Sequence, residues 1–246
     1  MRIRALSISA FALLASAGTA FAQTSDPSIV AGTAQFEEND ETAVPSGIQP
    51  VISVELENGY LIQAPNYLVT EEPVVHTDIF VPLDNGLFLD VLFTTELSNA
   101  HPFDKPGDEI DVTFGGNTTR GAYTLSARTS WYATPESGND IVLVEAGVSR
   151  TFGDWKASTS VEFQDFGGGI DQSAILHLGA TGSVNAFGQD VEIDVGVHQY
   201  DDGFRTYTGT LTTTVEVAGV ALRPRIRFST ANEGDSHLTF GIGHTF

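Results

Sequence analysis

Hydrophobic and polar residues alternate along most of this chain, and the last ten residues, HLTFGIGHTF, show the rule most cleanly. Leu238, Phe240, Ile242 and Phe246 share one parity; Thr239, Gly241, Gly243 and Thr245 share the other. Side chains of a β-strand point alternately to two faces, so this stretch is a strand with one apolar face and one small polar face. The pattern recurs upstream in VISVELEN, VVHTDIFVPL, LFLDVLFTTEL, DEIDVTFGG, GAYTLSARTSWYAT and DIVLVEAGVSR. It continues in WKASTSVEFQDF, SAILHLGATGS, DVEIDVGVHQY, RTYTGTLTTTVEV and VALRPRIRFS. No segment sustains helical spacing. The count is about twelve strands, an even number, many near the 9–11 residues that cross a bilayer when tilted.

The connections alternate as well. Asp84–Gly86, Gly115–Gly121, Thr151–Asp154, Asn185–Gln189 and Ala218–Gly219 read as compact turns rich in Asn and Gly. Between them, Asn58–Glu72, Ser98–Gly107, Pro135–Asp140, Gly167–Gln172, Asp201–Gly203 and Ala231–Asp235 read as acidic or glycine-rich loops. Short turns at one end and longer loops at the other match an up-and-down barrel in a membrane. A soluble β-sandwich also alternates, but it needs one face of each strand in a shared core. Here the polar parity carries Glu192 and Asp194 in one strand and the threonines 206, 208, 210, 212 and 214 in the next. Aromatics of the apolar parity fall near the strand ends: Phe114, Tyr123, Trp155 and Phe246 on the turn side, Trp131, Phe163, Tyr207 and Phe228 on the loop side. Two such girdles belong at the two headgroup regions of a bilayer. The predicted fold is therefore all-β: a transmembrane antiparallel up-and-down barrel over residues 50–246.

The N-terminus adds a compartment. MRIRALSISAFALLASAGTAFA has a basic start (Arg2, Arg4), a short apolar run and an Ala-Phe-Ala site, the pattern of a cleaved signal peptide over residues 1–22. Residues 23–49 follow as an acidic, flexible segment without periodicity, short enough to enter a barrel as a plug. The chain has no cysteine, which excludes disulfides, thiolate metal sites and a cysteine-linked lipid anchor. Its net charge of −21, made two units more negative by loss of Arg2 and Arg4, excludes nucleic acid as a partner held through phosphates.

On these residues the chain resembles a bacterial outer-membrane β-barrel. The closing Leu238, Phe240, Ile242 and Phe246 resemble the signal read by the barrel-assembly machinery, with His244 standing where an apolar residue is usual. The stretches from VISVELENGY to EEPVV and from EIDVTFGG to SWYATP are similar to small porins of proteobacteria, without the Arg-Gly-Ile-Ser stretch of that group. The resemblance implies a Gram-negative outer membrane, with lipid, lipopolysaccharide and the assembly machinery as partners.

Candidate chemistry lies on the polar parity. In LRPRIRF, Arg223, Arg225 and Arg227 share one face, about 6.6 Å apart, and need counter-charges. Arg128 and Lys156 are the other bases of that parity. Its acids include Asp78, Asp90, Glu109, Asp111, Glu145, Glu162, Glu192, Asp194 and Glu216, with Glu55 and Glu96. Together they read as pore-lining residues, and the arginines serve equally as a selectivity filter or as a structural ion-pair network. Twelve strands give a backbone diameter of roughly 24 Å and a free lumen on the order of 10 Å. His76, His177, His198 and His237 read as separate polar lumen residues, and the acidic loops as solvated, with calcium bridging to lipopolysaccharide the alternative. No nucleophile motif and no H-E-x-x-H occurs, so neither catalysis nor a cofactor is expected. The expectation is a passive channel for small solutes or ions; the alternative is a non-conducting structural or adhesive barrel.

Overall fold

The computed structural model describes residues 49–63, 66–97, 107–134, 139–166, 170–186 and 188–246; the predicted leader, the acidic segment up to residue 48, most of the predicted loops Ser98–Gly107 and Pro135–Asp140, and half of Gly167–Gln172 lie outside them. The strands are β1 (Val51–Glu57), β2 (Tyr60–Ile62), β3 (Tyr67–Thr70), β4 (Val74–Pro82) and β5 (Leu87–Glu96). There follow β6 (Glu109–Arg120), β7 (Tyr123–Thr134), β8 (Asn139–Phe152), β9 (Trp155–Phe166) and β10 (Ile170–Ala186). The last five are β11 (Gln189–Tyr200), β12 (Arg205–Thr213), β13 (Val215–Val217), β14 (Val220–Ala231) and β15 (Ser236–Thr245). Twelve of them, β1, β4 to β12, β14 and β15, pair antiparallel in chain order, and β1 pairs with β15 to close the ring. β13 extends β12 at the turn end, and β2 pairs with β3 as a separate two-stranded sheet that is no part of the ring.

The alternation predicted from sequence is the alternation of exposure. β5 reads half-buried, buried over its whole length, with Phe88, Asp90, Leu92, Thr94 and Glu96 inward. All eight girdle aromatics, including Phe114, Trp131, Trp155, Phe163 and Phe246, are exposed on the outer face, as are Leu238, Phe240 and Ile242. The outside is thus apolar and the inside charged, the inverse of a soluble domain, and the arrangement suits a surrounding bilayer. His244 is accommodated on that outer face: its Nδ1 lies 2.7 Å from the Ala221 carbonyl and its ring packs edge-on against Phe246.

Two expectations are corrected. Gly115 to Thr119 are not a turn; β6 continues to Arg120, and the reversal is at Gly121, whose φ of +62° suits glycine. Gly115 instead makes room, since a Cβ there would meet the Phe88 ring at 2.6 Å. Nor is Asn58–Glu72 simply an outer loop, because its described part folds as the β2–β3 hairpin.

Pro224, inside β14, has no N–H to donate, and interior strands rarely tolerate that. It stands where β12 ends its pairing with β14 at Thr212–Arg225, before β13 resumes at Val215–Leu222. The irregularity at Thr213–Thr214 gives the proline an unladdered side.

Candidate functional site

The interior is organised around β15, whose inward residues are Thr239, Gly241 and Gly243. In register they stand beside Arg227, Arg225 and Arg223 of β14 on one side, while Glu57 and Glu55 of β1 stand beside Gly241 and Gly243 on the other. Arginine and glutamate are two strands apart and meet across the glycines. Arg225 Nη2 reaches Glu55 Oε2 at 2.5 Å, and Arg227 Nη1 reaches Glu57 Oε2 at 3.0 Å. A Cβ on Gly241 would fall on the Glu55 carboxylate, so the small face of the last strand is the space these ion pairs occupy.

Glu57, fully buried, is the hub. Besides Arg227 it accepts a hydrogen bond from Thr239 Oγ1, and His76 Nε2 lies 3.1 Å from its Oε2. With its proton on Nε2, His76 donates to Glu57 and accepts at Nδ1 from the Thr94 hydroxyl, 2.9 Å away. A buried charge held this way has its lone pairs satisfied, the condition for keeping it buried. Nearer the turn end the packing opens. The Arg223–Glu192 pair is 3.1 Å long, with its side chains 28% and 31% exposed, against 3% and 0% for Arg227 and Glu57.

Across the loop end of this interior lies the β2–β3 hairpin. Leu61 and Gln63 of its inner strand are fully buried, whereas Tyr67 of the outer strand is 58% exposed. The Tyr60 hydroxyl donates to Glu109 Oε2 of β6 at 2.5 Å, and its ring packs edge-on against His76. Burial, together with the Glu109 carboxylate, raises the phenol well above its ordinary pKa, so it remains a donor. Gln63 Nε2 donates to the carbonyls of Phe228 (3.0 Å) and Gly209 (3.3 Å), and Ser229 Oγ donates to the Gln63 carbonyl at 2.9 Å. β6 and β12 have five strands between them either way round the ring. The segment from Tyr60 to Gln63 therefore fastens opposite walls to each other: it is a crossbar.

The remaining predicted positions fall as follows. Asp78, Asp90, Glu109, Asp111, Glu145 and Glu162 are buried inside the barrel. Arg128 Nε donates to Glu145 Oε2 at 2.6 Å across β7 and β8, and Thr181 Oγ1 donates to Asp194 Oδ2 at 2.5 Å. Lys156 is half-buried near the turn end, and Glu216 is exposed on β13. The histidines differ from the expectation of separate residues: His177 and His198, cross-strand partners, meet with Nδ1 atoms 2.5 Å apart. Tyr60, Gln63 and Glu57 escaped the sequence reading; the signal for the first two is the apolar run Tyr60-Leu61-Ile62 inside a segment otherwise read as loop.

No family model and no curated relative matches the chain. Among solved structures it is similar to the KdgM porin in complex with disordered oligogalacturonate, with a TM-score of 0.51 at 9% identity over 80% of this chain and 98% of the other. An outer membrane channel from Pseudomonas putida F1 aligns with a TM-score of 0.49 at 13% identity, over 85% and 98% of the two chains. An anion-selective porin from Comamonas acidovorans aligns with a TM-score of 0.39 at 13% identity, over 81% and 99%. The fold is that of an outer-membrane β-barrel.

Proposed function

We propose that this chain is a porin-like channel of a Gram-negative outer membrane, passing small solutes by diffusion, with the crossbar as its constriction. The observation that carries the reading is the closed ring with an apolar exterior and a charged interior narrowed by an inserted hairpin. A barrel that only filled space would be more cheaply packed with apolar side chains, since buried ion pairs seldom stabilise more than hydrophobic replacements do.

Acidic side chains outnumber basic ones inward of the strands, and each of the three β14 arginines is already matched to a glutamate. The lumen therefore favours cations over anions. In this reading residues 1–22 are a cleaved leader, the chain termini lie on the periplasmic side, and Leu238, Phe240, Ile242 and Phe246 address the assembly machinery. The pore-lining set is that named from the sequence, with Glu57 added. The acidic outer loops face lipopolysaccharide.

The test is a reversal potential in a planar bilayer under a salt gradient, using mature protein whose folding is checked by heat-dependent gel mobility. A potential of the sign set by cation flow supports the proposal. Silence from folded protein favours the structural or adhesive alternative.

A further inference from the structure

His177 of β10 and His198 of β11 are directly opposed, with Glu162 of the neighbouring β9 beside them. Their rings meet edge to face, centroids 4.8 Å apart, with the two Nδ1 atoms turned toward each other. Both Nε2 atoms point away: His198 Nε2 lies 3.1 Å from Thr208 Oγ1, within hydrogen-bond reach, and His177 Nε2 faces Glu162 Oε2 at 3.4 Å, an ion-pair distance without a hydrogen bond. Glu162 is itself oriented by Gln164, whose Nε2 donates to its Oε1 at 2.5 Å. Two imidazoles with converging Nδ1 atoms, one Nε2 held at a hydroxyl and the other facing a carboxylate, have outer neighbours of the kind that metal-ligating histidines keep.

The backbone makes room for this arrangement. One step along the same face, the cross-strand pair is Gly179–Gly196. The His198 ring lies over Gly196, where a Cβ would meet Thr208 Oγ1 at 2.7 Å and His198 Nε2 at 3.0 Å, so a side chain there would disturb the ring and its hydroxyl partner. His198 is buried, 1% exposed, and the acidic interior supplies a favourable potential for a cation.

We propose that His177 and His198 bind a divalent transition cation inside the barrel, a borderline or soft ion such as Cu²⁺ or Zn²⁺ that takes neutral imidazole. Among the described residues no three His, Asp or Glu side chains converge as a metal site. The ion is accordingly held by two protein nitrogens, with water completing its coordination and Glu162 orienting His177 without ligating. Two nitrogens on one zinc, each at about 2.0–2.1 Å, stand about 3.3 Å apart in tetrahedral geometry. Without the ion the two Nδ1 atoms share a hydrogen bond at 2.5 Å, one ring donating to the other; on binding, the donor ring shifts to its Nε2–H tautomer and the Nδ1 atoms part by about 0.8 Å. Copper is held more tightly than zinc by the general order of divalent affinities. If the barrel conducts, the pair is a station on the cation path, a role that rests on the channel reading; binding itself does not.

The experiment is titration of untagged, refolded mature protein in detergent with Cu²⁺, followed by electron paramagnetic resonance, beside H177Q/H198Q and H244Q. The expected result is one Cu²⁺ per barrel with two-nitrogen coordination in the parent and in H244Q, and its loss in the double variant. G196A, which keeps both imidazoles but displaces one, weakens binding at least about tenfold. Equal copper spectra in the parent and in a folded H177Q/H198Q would overturn the proposal. Because the readout needs no conductance, a barrel that binds copper but passes no current would count against the channel alone.

Discussion

Replacing Glu57 by glutamine keeps the shape of the hub and removes its charge. Arg227, with its side chain 3% exposed, then loses the carboxylate 3.0 Å from its Nη1. The nearest acid on the same strand face, Glu55, is engaged with Arg225. Leaving one member of a buried pair uncompensated costs about 3–5 kcal/mol. Replacing both members, as in E57Q/R227M, removes the stranded charge along with its partner. The cycle should therefore give back most of that cost, a coupling of roughly 2–3 kcal/mol, the upper part of the range for contacting residues. The assay is urea unfolding in lipid vesicles, followed by fluorescence of Trp131 and Trp155 and by gel mobility. If E57Q unfolds within about 0.5 kcal/mol of the parent, an amount typical of surface changes, the hub carries no special weight. If the double variant is as unstable as E57Q alone, the defect lies in the lost hydrogen bonds and the ion-pair argument fails.

Three further outcomes follow from the same interior. R223S removes a half-exposed pair, so it should cost only about 0.2–1 kcal/mol while shifting the reversal potential toward stronger cation preference; an unchanged potential would show that Arg223 faces no conducting path. G241A forces the Glu55 carboxylate out of its place beside Arg225. It should destabilise the barrel by about 1–3 kcal/mol, the range for overpacking, and a neutral result in the same urea assay would contradict the role given to the small face of β15. Y60F/Q63A removes the side-chain fastenings at both walls, including a charge-assisted bond of about 1.5–3 kcal/mol. It should raise current noise and mean conductance, and currents identical to the parent's would mean the crossbar is held by other contacts.

The strand pattern was legible because a barrel in lipid imposes one rule on every strand. Leu238, Phe240 and Ile242 must face out and Thr239, Gly241 and Gly243 in, and a one-residue slip would reverse both sets. The arginine ladder followed from the same parity. Its partners did not: Glu57 and Arg227 are 170 positions apart and meet only because β1 closes onto β15. Glycines 241 and 243 read as merely small, since their use depends on what flanks them. The crossbar was hidden for a different reason. Its anchors Tyr60 and Gln63 bond to groups on β6, β12 and β14, and no local period marks a hairpin that is held by distant walls. The paired histidines lie on separate strands, and only the register of β10 with β11 sets His177 against His198.

The central claim is a conducting barrel constricted by its own hairpin, and single-channel recording of the mature chain beside a variant with residues 60–70 replaced by a short Gly-Ser link tests it most directly. A paired hairpin, with strands about 4.8 Å apart plus side chains, takes up most of a free lumen on the order of 10 Å. The account predicts discrete, small, cation-preferring steps in the parent and steps at least about threefold larger in the variant. Equal conductance in two folded proteins, or none in either, would contradict it.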